Sequence, residues 1–220
     1  MATEMGRGSA RDEVLRRVRA AKGGAAHAEA VRAAYGAVER GYRSEATRSR
    51  EGVLELLVDR LQDYDARVLE AVHVDVRTAV ATMLKERGAR SMVVPRGLAA
   101  EWLPVSVEFV VDDGLPADEL DRFDGVMTGA TLAIAETGTV VLQNVAGQGR
   151  RAVTLVPDYH LCVVRVQDVV ETVPEAMTRL WATANLPTTF VSGPSATADI
   201  EMTRIKGVHG PRFLDVILVR

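Results

Sequence analysis

From residue 52 onward, the sequence alternates between helical patterns and short runs rich in valine, isoleucine and leucine. Such interleaving favours an α/β fold, in which helices flank a mainly parallel sheet. The turn around 136–138 joins two neighbouring strand patterns and predicts an antiparallel element added to that sheet, although the first pattern, over 131–135, could also form a helical turn because alanine favours helix. The patterns predict helices over 52–62, 76–87 and 172–184, a short helix over 97–103, and strands over 66–72, 91–95, 105–111, 125–128, 131–135, 139–143, 153–156, 161–166, 188–192 and 213–219.

Two of these helices carry boundary signals in the sequence. Asp75 can cap the front of the helix over 76–87, and Gly88 can end that helix in a left-handed conformation. Thr172 and Glu175 have the spacing of a capping box, in which each side chain binds the other residue's backbone N–H. These signals predict where the two helices begin and end.

The first fifty residues differ in charge from the rest of the chain. They contain 11 Lys and Arg against 6 Asp and Glu, whereas the remaining residues contain 16 against 24. An amphipathic pattern predicts a helix over 11–21, and the alanine-rich stretch 25–40 also favours helix. We therefore expect a helical segment over 1–50 and an α/β domain over 51–220. The basic segment could dock a partner or fold back on its own acidic domain, and the alternative is a solvated face.

The composition bounds the function classes. A net charge of −3 does not favour a nucleic-acid partner. No apolar run approaches the ~20 residues of a membrane span, and the first residues lack the apolar stretch of a signal peptide. The one cysteine, Cys162, excludes an internal disulfide and cannot hold an iron–sulfur cluster alone. We expect a cytoplasmic protein with no membrane span, no bound cofactor and no metal.

An acidic bend lies between two apolar runs in the stretch from Thr128 to Gln143. Gly138 can adopt a positive φ there, and the hydroxyls of Thr137 and Thr139 can bind the local backbone. Partial burial would raise the pKa of the Glu136 carboxyl and suit it to act as a base or nucleophile, provided that no cation lies beside it. The alternative is a hairpin tip in water.

A second polar stretch follows the strand predicted over 188–192. Gly193 and Pro194 end that strand, and Ser195 is a plausible N-cap for a helix formed by the following residues ATADIEM. Such a corner would present free backbone N–H groups to an anion. The polar side chains in it are Ser192, Ser195, Thr197 and Asp199. The alternative is that these groups only cap their own backbone.

Further candidate groups lie elsewhere in the chain. His209, between small residues, could transfer a proton near neutral pH or bind a nearby carbonyl. Arg150 and Arg151 follow a glycine-rich loop, where a guanidinium suits a carboxylate or phosphate unless it is only solvated. His160 and Cys162 share one face of a strand, and we favour buried packing over a metal or thiolate pair.

Three stretches of the chain resemble a known family. GVMTGATLAIAETGTVVLQ, VPDYHLCVV and SGPSATADIEMTRIKGVHGP, in that order, are similar to the LUD-domain family, and within it to the lactate-utilisation protein C type (LutC/YkgG-like). The resemblance covers residues 50–220. It implies a fold like that of the NagB/RpiA/CoA-transferase-like superfamily, and a role in oxidising L-lactate to pyruvate with partner proteins that carry the iron–sulfur clusters.

The resemblance leaves the roles of single residues open. It implies a site formed by the motif residues Glu136, Thr137, Gly138, Ser192, Gly193, Ser195, Thr197, Asp199 and His209. Three functions then compete. The first is a non-redox subunit that binds a small organic anion beside iron–sulfur partners. The second is a stand-alone transferase or isomerase using Glu136, and the third is a metabolite-binding regulator. Each requires the acidic bend and the glycine–proline corner to lie at one site.

Overall fold

The computed structural model describes residues 10–22, 28–194, 196–197, 205–206 and 210–220. The chain divides into two compact units, Met1–Tyr42 and Arg43–Arg220. In the first unit, α1 (Ala10–Ala21) and α2 (Ala28–Gly36) bury none of their residues. Among the described helices, none has both the length and the apolar character needed to cross a membrane.

The second unit contains most of the elements that the alternating pattern predicts. Its helices are α3 (Arg50–Asp63), α4 (Val76–Arg87), α5 (Ala117–Leu120) and α6 (Val173–Leu180). Its strands are β1 (Arg67–Ala71), β2 (Ser91–Pro95), β3 (Glu108–Asp112), β4 (Gly125–Gly129), β5 (Leu132–Ile134), β6 (Thr139–Gln143), β7 (Tyr159–Arg165), β8 (Val169–Val170), β9 (Thr188–Ser192), β10 (Ala196–Thr197), β11 (Ile205–Lys206) and β12 (Phe213–Val219).

The main sheet has six strands in the order β1-β12-β7-β4-β2-β3, and all neighbours are parallel. This confirms the predicted α/β class. The antiparallel element, however, forms a separate four-stranded sheet in the order β8-β5-β6-β9, in which β6 is antiparallel to both β5 and β9. Its strands are separate because their inward side chains pack on the face of the main sheet rather than on its edge.

The two faces of the main sheet are covered differently. On β7, Leu161 and Val163 belong to the buried cluster that includes α4, whereas Cys162 and Val164 belong to the cluster that includes α3 and the small sheet. Alternate residues of a strand point to opposite faces, so this division follows from the pleat. Helix α6 packs its Ala176 and Leu180 with Leu132 and Ile134 of the small sheet. Strands β5, β6 and β8 of the small sheet are therefore buried on both faces, whereas the edge strand β9 is partly exposed.

Local signals are confirmed where they concern a single helix. Gly88 ends α4 with φ 70°, and Thr172 and Glu175 form the complete capping box of α6. Asp75 occupies the N-cap position of α4 but makes no capping hydrogen bond through its side chain. Residues 153–156 form turns, so the predicted strand there is wrong, and the helix predicted over 97–103 is reduced to a single 3-10 turn at Ala100–Trp102.

Candidate functional site

The acidic bend and the glycine–proline corner meet in the small sheet. Strands β6 and β9 pair so that Thr139 lies opposite Ser192. The hydroxyl oxygens of Thr139 and Ser192 are 2.7 Å apart, and those of Thr137 and Thr139 are 2.6 Å apart. We call Thr137, Thr139 and Ser192 the hydroxyl chain. Segments more than fifty residues apart in sequence thus share one hydrogen-bonded row.

Glycines at this junction let the backbone approach helix α3. A Cβ atom on Gly138, whose φ is 58°, would lie 2.9 Å from Arg60 Cβ and 3.0 Å from the Arg60 carbonyl carbon. A Cβ atom on Gly193, whose φ is 81°, would lie 2.5 Å from Cγ of the Tyr64 ring. Both positions therefore require glycine for the backbone angle and for the space.

Replacing Gly138 by alanine is expected to lower the free energy of unfolding by about 2–4 kcal/mol. The left-handed backbone conformation is strained for alanine, and the added Cβ atom clashes with the backbone of α3. Gly88 is the matched control. It has a similar φ of 70° but nothing within 4 Å of an added Cβ, so Gly88→Ala should cost only about 1 kcal/mol. Urea denaturation measures both. Equal losses would show that packing on Arg60 contributes nothing.

Glu136 has a cation beside it. Its half-buried carboxylate forms an ion pair with Arg43, and its backbone N–H donates to the Glu171 carbonyl at 3.0 Å. The sequence argument for a proton-accepting Glu136 required that no cation be present, and this condition is not met. The guanidinium favours the ionised carboxylate and occupies one side of it. Arg43 is a neighbour that the sequence did not indicate.

The same arginine contacts a second carboxylate. Glu171 is only 1% exposed, and it forms an ion pair with Arg43. It also accepts hydrogen bonds from the backbone N–H groups of Thr47 at 2.7 Å and Arg48 at 2.9 Å. Desolvation raises the pKa of Glu171, but the hydrogen bonds from Arg43, Arg48 and Thr47 outweigh it and lower the pKa to about 2. We call residues 43–48 the anchored segment.

The region after Ser192 differs from the predicted strand–helix corner. Ala196–Thr197 is a strand paired antiparallel with Ile205–Lys206, so the helix expected after Ser195 is wrong at these positions. The argument for a helix N-terminus that binds an anion therefore no longer holds. At Ala196–Thr197, backbone pairing with a later segment replaced the local helix preference. The candidate residues Ser195, Asp199 and His209 lie outside the described residues, and Thr197 is described only as part of β10.

Arg150 lies apart from the hydroxyl chain. Its guanidinium donates to both carboxylate oxygens of Asp112, each at 2.8 Å, and to the Leu115 carbonyl. The hydrogen bonds from Arg150 lower the pKa of Asp112. Together these contacts hold the loop after β3 against the glycine-rich loop. Arg150 lines a cleft with Asp112 and Asp113, a different cavity from the one beside Ser192.

A cavity of about 240 Å³ opens beside the hydroxyl chain. It lies at the amino ends of β7 and β12. Its polar walls include Arg151, Thr154, His160 and Ser192, and its apolar walls include Phe190 and Leu214. We call this the Arg151 cavity. The Arg151 guanidinium donates to the Thr154 carbonyl and hydroxyl oxygens, each at 3.1 Å, and has no carboxylate partner in the described part of the chain.

His160 is a buried, neutral residue in the wall of this cavity. Burial lowers its pKa to about 4, with a smaller contribution from the charge of Arg151. Its Nε2 lies 2.8 Å from the Thr128 hydroxyl, which also lies 3.7 Å from Cys162 Sγ. Burial raises the pKa of the Cys162 thiol to about 12, so it stays protonated at neutral pH. His160 and Cys162 therefore pack as a neutral buried row, as the sequence favoured, and form no thiolate pair.

Comparison with known proteins points to one family. The LUD domain model matches residues 54–219. Lactate utilization protein C from Deinococcus radiodurans is 44% identical over 174 residues, which cover 78% of this chain and 81% of that protein. Lactate utilization protein C from Halalkalibacterium halodurans is 32% identical over 178 residues, covering 70% and 76%.

A solved structure shares the fold. The crystal structure of a DUF162 family protein from Deinococcus radiodurans superposes with a TM-score of 0.70 at 40% sequence identity. The match covers 79% of this chain and all of that one. The family match spans both sheets, the hydroxyl chain and the Arg151 cavity, and the resemblance of the three motifs is thereby confirmed. This chain belongs to the LUD domain family.

Proposed function

We propose that this protein acts in lactate utilisation as a non-redox subunit that binds a small organic anion in the Arg151 cavity. The observation that carries the proposal is Arg151 itself, a guanidinium without a carboxylate partner in the described residues and beside a cavity. Burial lowers its pKa, which reflects partial desolvation of the cation. The names of the relatives from Deinococcus and Halalkalibacterium support the physiological context.

The size and walls of the cavity suit a short acid. Its volume of about 240 Å³ is below the range of roughly 300–1,000 Å³ that is typical for drug-sized ligands. A carboxylate can accept two parallel hydrogen bonds from a guanidinium. Neutral His160 adds no charge, and Ser192 and Thr154 supply hydroxyl groups. L-lactate and pyruvate have this combination of one carboxylate, one further oxygen and a methyl group.

The redox chemistry belongs to partners in this proposal. Oxidation of L-lactate to pyruvate releases two electrons and two protons, which require an acceptor. We assign the electrons to iron–sulfur partner proteins, as the family resemblance implies, and we place the assembly in the cytoplasm. Purification of the tagged protein from its native cell tests this. Recovery without any iron–sulfur protein would contradict the assignment.

Arginine variants test the site. We expect isothermal titration to show binding of L-lactate or pyruvate, and Arg151→Gln to weaken it by about 10- to 100-fold, the effect of losing a charged hydrogen-bonded pair. Arg150→Gln is the matched control, because it removes a neighbouring guanidinium that is held by Asp112 in a different cleft. Denaturation curves confirm that both variants are folded.

Three outcomes would contradict the proposal. Binding that is lost in Arg150→Gln and kept in Arg151→Gln would place the ligand in the other cleft. Equal affinity in both variants and the parent protein would show that neither arginine binds the ligand. Absence of binding for both acids at millimolar concentration would remove the small-anion function.

A further inference from the structure

A second cleft lies on the opposite edge of the main sheet. It has a volume of about 550 Å³ and is lined by residues at the carboxyl ends of β1, β2, β4, β7 and β12. The Arg151 cavity lies at the amino ends of β7 and β12, so the two are separate. Ligands of open α/β sheets bind outside the carboxyl ends of the strands. We call this the carboxyl-end cleft.

The charge of this cleft has one sign. Its charged lining residues are Arg165 and Arg220, and no Asp or Glu of the described chain lines it. Arg165 forms an exposed pair with Asp168, and Arg220 forms exposed pairs with Glu51 and Glu70. Exposed pairs of this kind contribute little and exchange readily with other partners. An anion in the cleft would therefore compete with these carboxylates for the two guanidinium groups.

Gln148 presents an unpaired donor to the cleft. It is only 8% exposed, and its Oε1 accepts hydrogen bonds from the Gln143 backbone N–H at 2.7 Å and the Thr131 hydroxyl at 2.9 Å. The backbone N–H can only donate, so this contact fixes which end of the amide is oxygen. The amide nitrogen, Nε2, then has no hydrogen-bond partner in the described residues. It is open to solvent in the cleft, where a ligand oxygen can replace water as its acceptor.

Trp102 adds a second unpaired donor. Its indole Nε1 is buried and has no hydrogen-bond partner in the part of the chain that the structure describes. Trp102 lines the same cleft as Gln148. Leaving a buried donor unpaired is costly, and native proteins rarely do so without a ligand or water. Because Nε1 is covered by protein atoms, a ligand reaches it only if the indole shifts, so Gln148 Nε2 supplies the open donor of the cleft and Trp102 forms part of its wall.

The loops that carry these groups are held together by backbone contacts. The Gly147 N–H donates to the Arg96 carbonyl at 2.8 Å, and the Gly129 N–H donates to the Gly147 carbonyl at 2.8 Å. A Cβ atom on Gly97 would lie 2.8 Å from Ala146 Cβ, so the loops are in direct contact. Gln148 is thus positioned before any ligand arrives, which reduces the entropy lost on binding.

We propose that the carboxyl-end cleft binds a second ligand, an organic anion larger than lactate. Its carboxylate or phosphate oxygens accept a hydrogen bond from Gln148 Nε2 and compete with the neighbouring carboxylates for Arg165 and Arg220. Its apolar part contacts Leu98, Val163 and Val219, which also line the cleft. This site is independent of the Arg151 cavity.

Two probes with the same apolar body and different anionic groups test the proposal, 1-naphthaleneacetate and 1-naphthyl phosphate. The readout is the indole N–H signal in a two-dimensional nitrogen–proton NMR spectrum. The chain has two tryptophans, and Trp181 is 82% exposed, so its signal is an internal control. We expect at least one probe to shift the Trp102 signal and the Gln148 side-chain signals, and to leave Trp181 unchanged. The better probe identifies carboxylate or phosphate as the preferred group.

A charge variant completes the test. Gln148→Glu retains an oxygen for the Gln143 N–H and replaces the donor by an anionic oxygen, so we expect the probe affinity to fall at least about tenfold. Gln62→Glu, on the exposed surface of α3, is the matched control and should bind normally. Saturating L-lactate and the Arg151→Gln variant should leave probe binding unchanged, which separates this site from the proposed function. No Trp102 shift with either probe, or equal affinity in Gln148→Glu, would overturn the proposal.

Discussion

Replacing Asp215 by alanine is expected to lower the free energy of unfolding by about 3–5 kcal/mol, because it leaves a largely buried arginine without its counter-ion. Asp215 is fully buried in β12, and its carboxylate accepts from Arg87 Nε at 2.9 Å and Nη2 at 2.6 Å. The Arg87 guanidinium also lies 4.6 Å from the centroid of the Phe213 ring. Hydrogen bonding to Asp215 raises the pKa of Arg87, and a guanidinium stays charged at neutral pH even without a carboxylate partner.

An exposed ion pair provides the matched control for Asp215. Arg67 and Glu86 are 3.2 Å apart, but both side chains are about half exposed. Glu86→Ala should therefore change the free energy of unfolding by less than about 1 kcal/mol. Chemical denaturation of both variants measures the difference. Similar small losses for both would show that Arg87 finds water or another partner when Asp215 is absent.

Lowering the pH from 7 to about 5 is expected to lower the free energy of unfolding by about 2 kcal/mol, because His160 takes up a proton in the unfolded chain but not in its buried site. The folded-state pKa of about 4 lies below the ordinary value of 6.5, because burial disfavours the imidazolium ion. The unfolded chain binds a proton first as the pH falls through 6.5. Stability from this group is complete above that pH and is lost progressively down to the folded-state pKa.

The variant His160→Gln should flatten the stability curve between about pH 7 and pH 5, since no titrating ring remains in the interior. His73→Gln, at an exposed ring, changes one histidine without touching the interior and should retain the loss. The pKa of Glu171 is lowered to about 2, so its acid-dependent loss falls in a lower window, between about pH 4.5 and pH 2. An unchanged slope in His160→Gln would show that other groups cause the loss.

Local sequence signals predicted helix ends because the interacting groups are a few residues apart. The capping box of Thr172 and Glu175 depends on one turn of helix, and Gly88 depends on a single backbone angle. The α/β class followed in the same way from the interleaving of helical and strand patterns. These features were predictable from the sequence, because neighbouring residues are close in space whatever the rest of the chain does.

Contacts between distant segments could not be predicted. Arg43 and Glu171 are 128 residues apart, as are Arg87 and Asp215, and only the completed sheets bring each pair together. The apolar run at 153–156 suggested a strand, but it forms turns because no strand pairs with it. The helical preference after Ser195 yielded at Ala196–Thr197 to pairing with Ile205–Lys206. The presence or absence of pairing with distant backbone segments determined the secondary structure at these positions.

The anchored segment determines how much of the chain's beginning can be removed. A shortened protein that starts at Arg43 keeps every group that Glu171 binds. A protein that starts at Glu51, at the boundary suggested by composition, lacks these groups. The buried carboxylate of Glu171 then has no partner from the anchored segment. That anion must then take up a proton or draw water inward. Excision of the amino-terminal helices should therefore stop before Arg43.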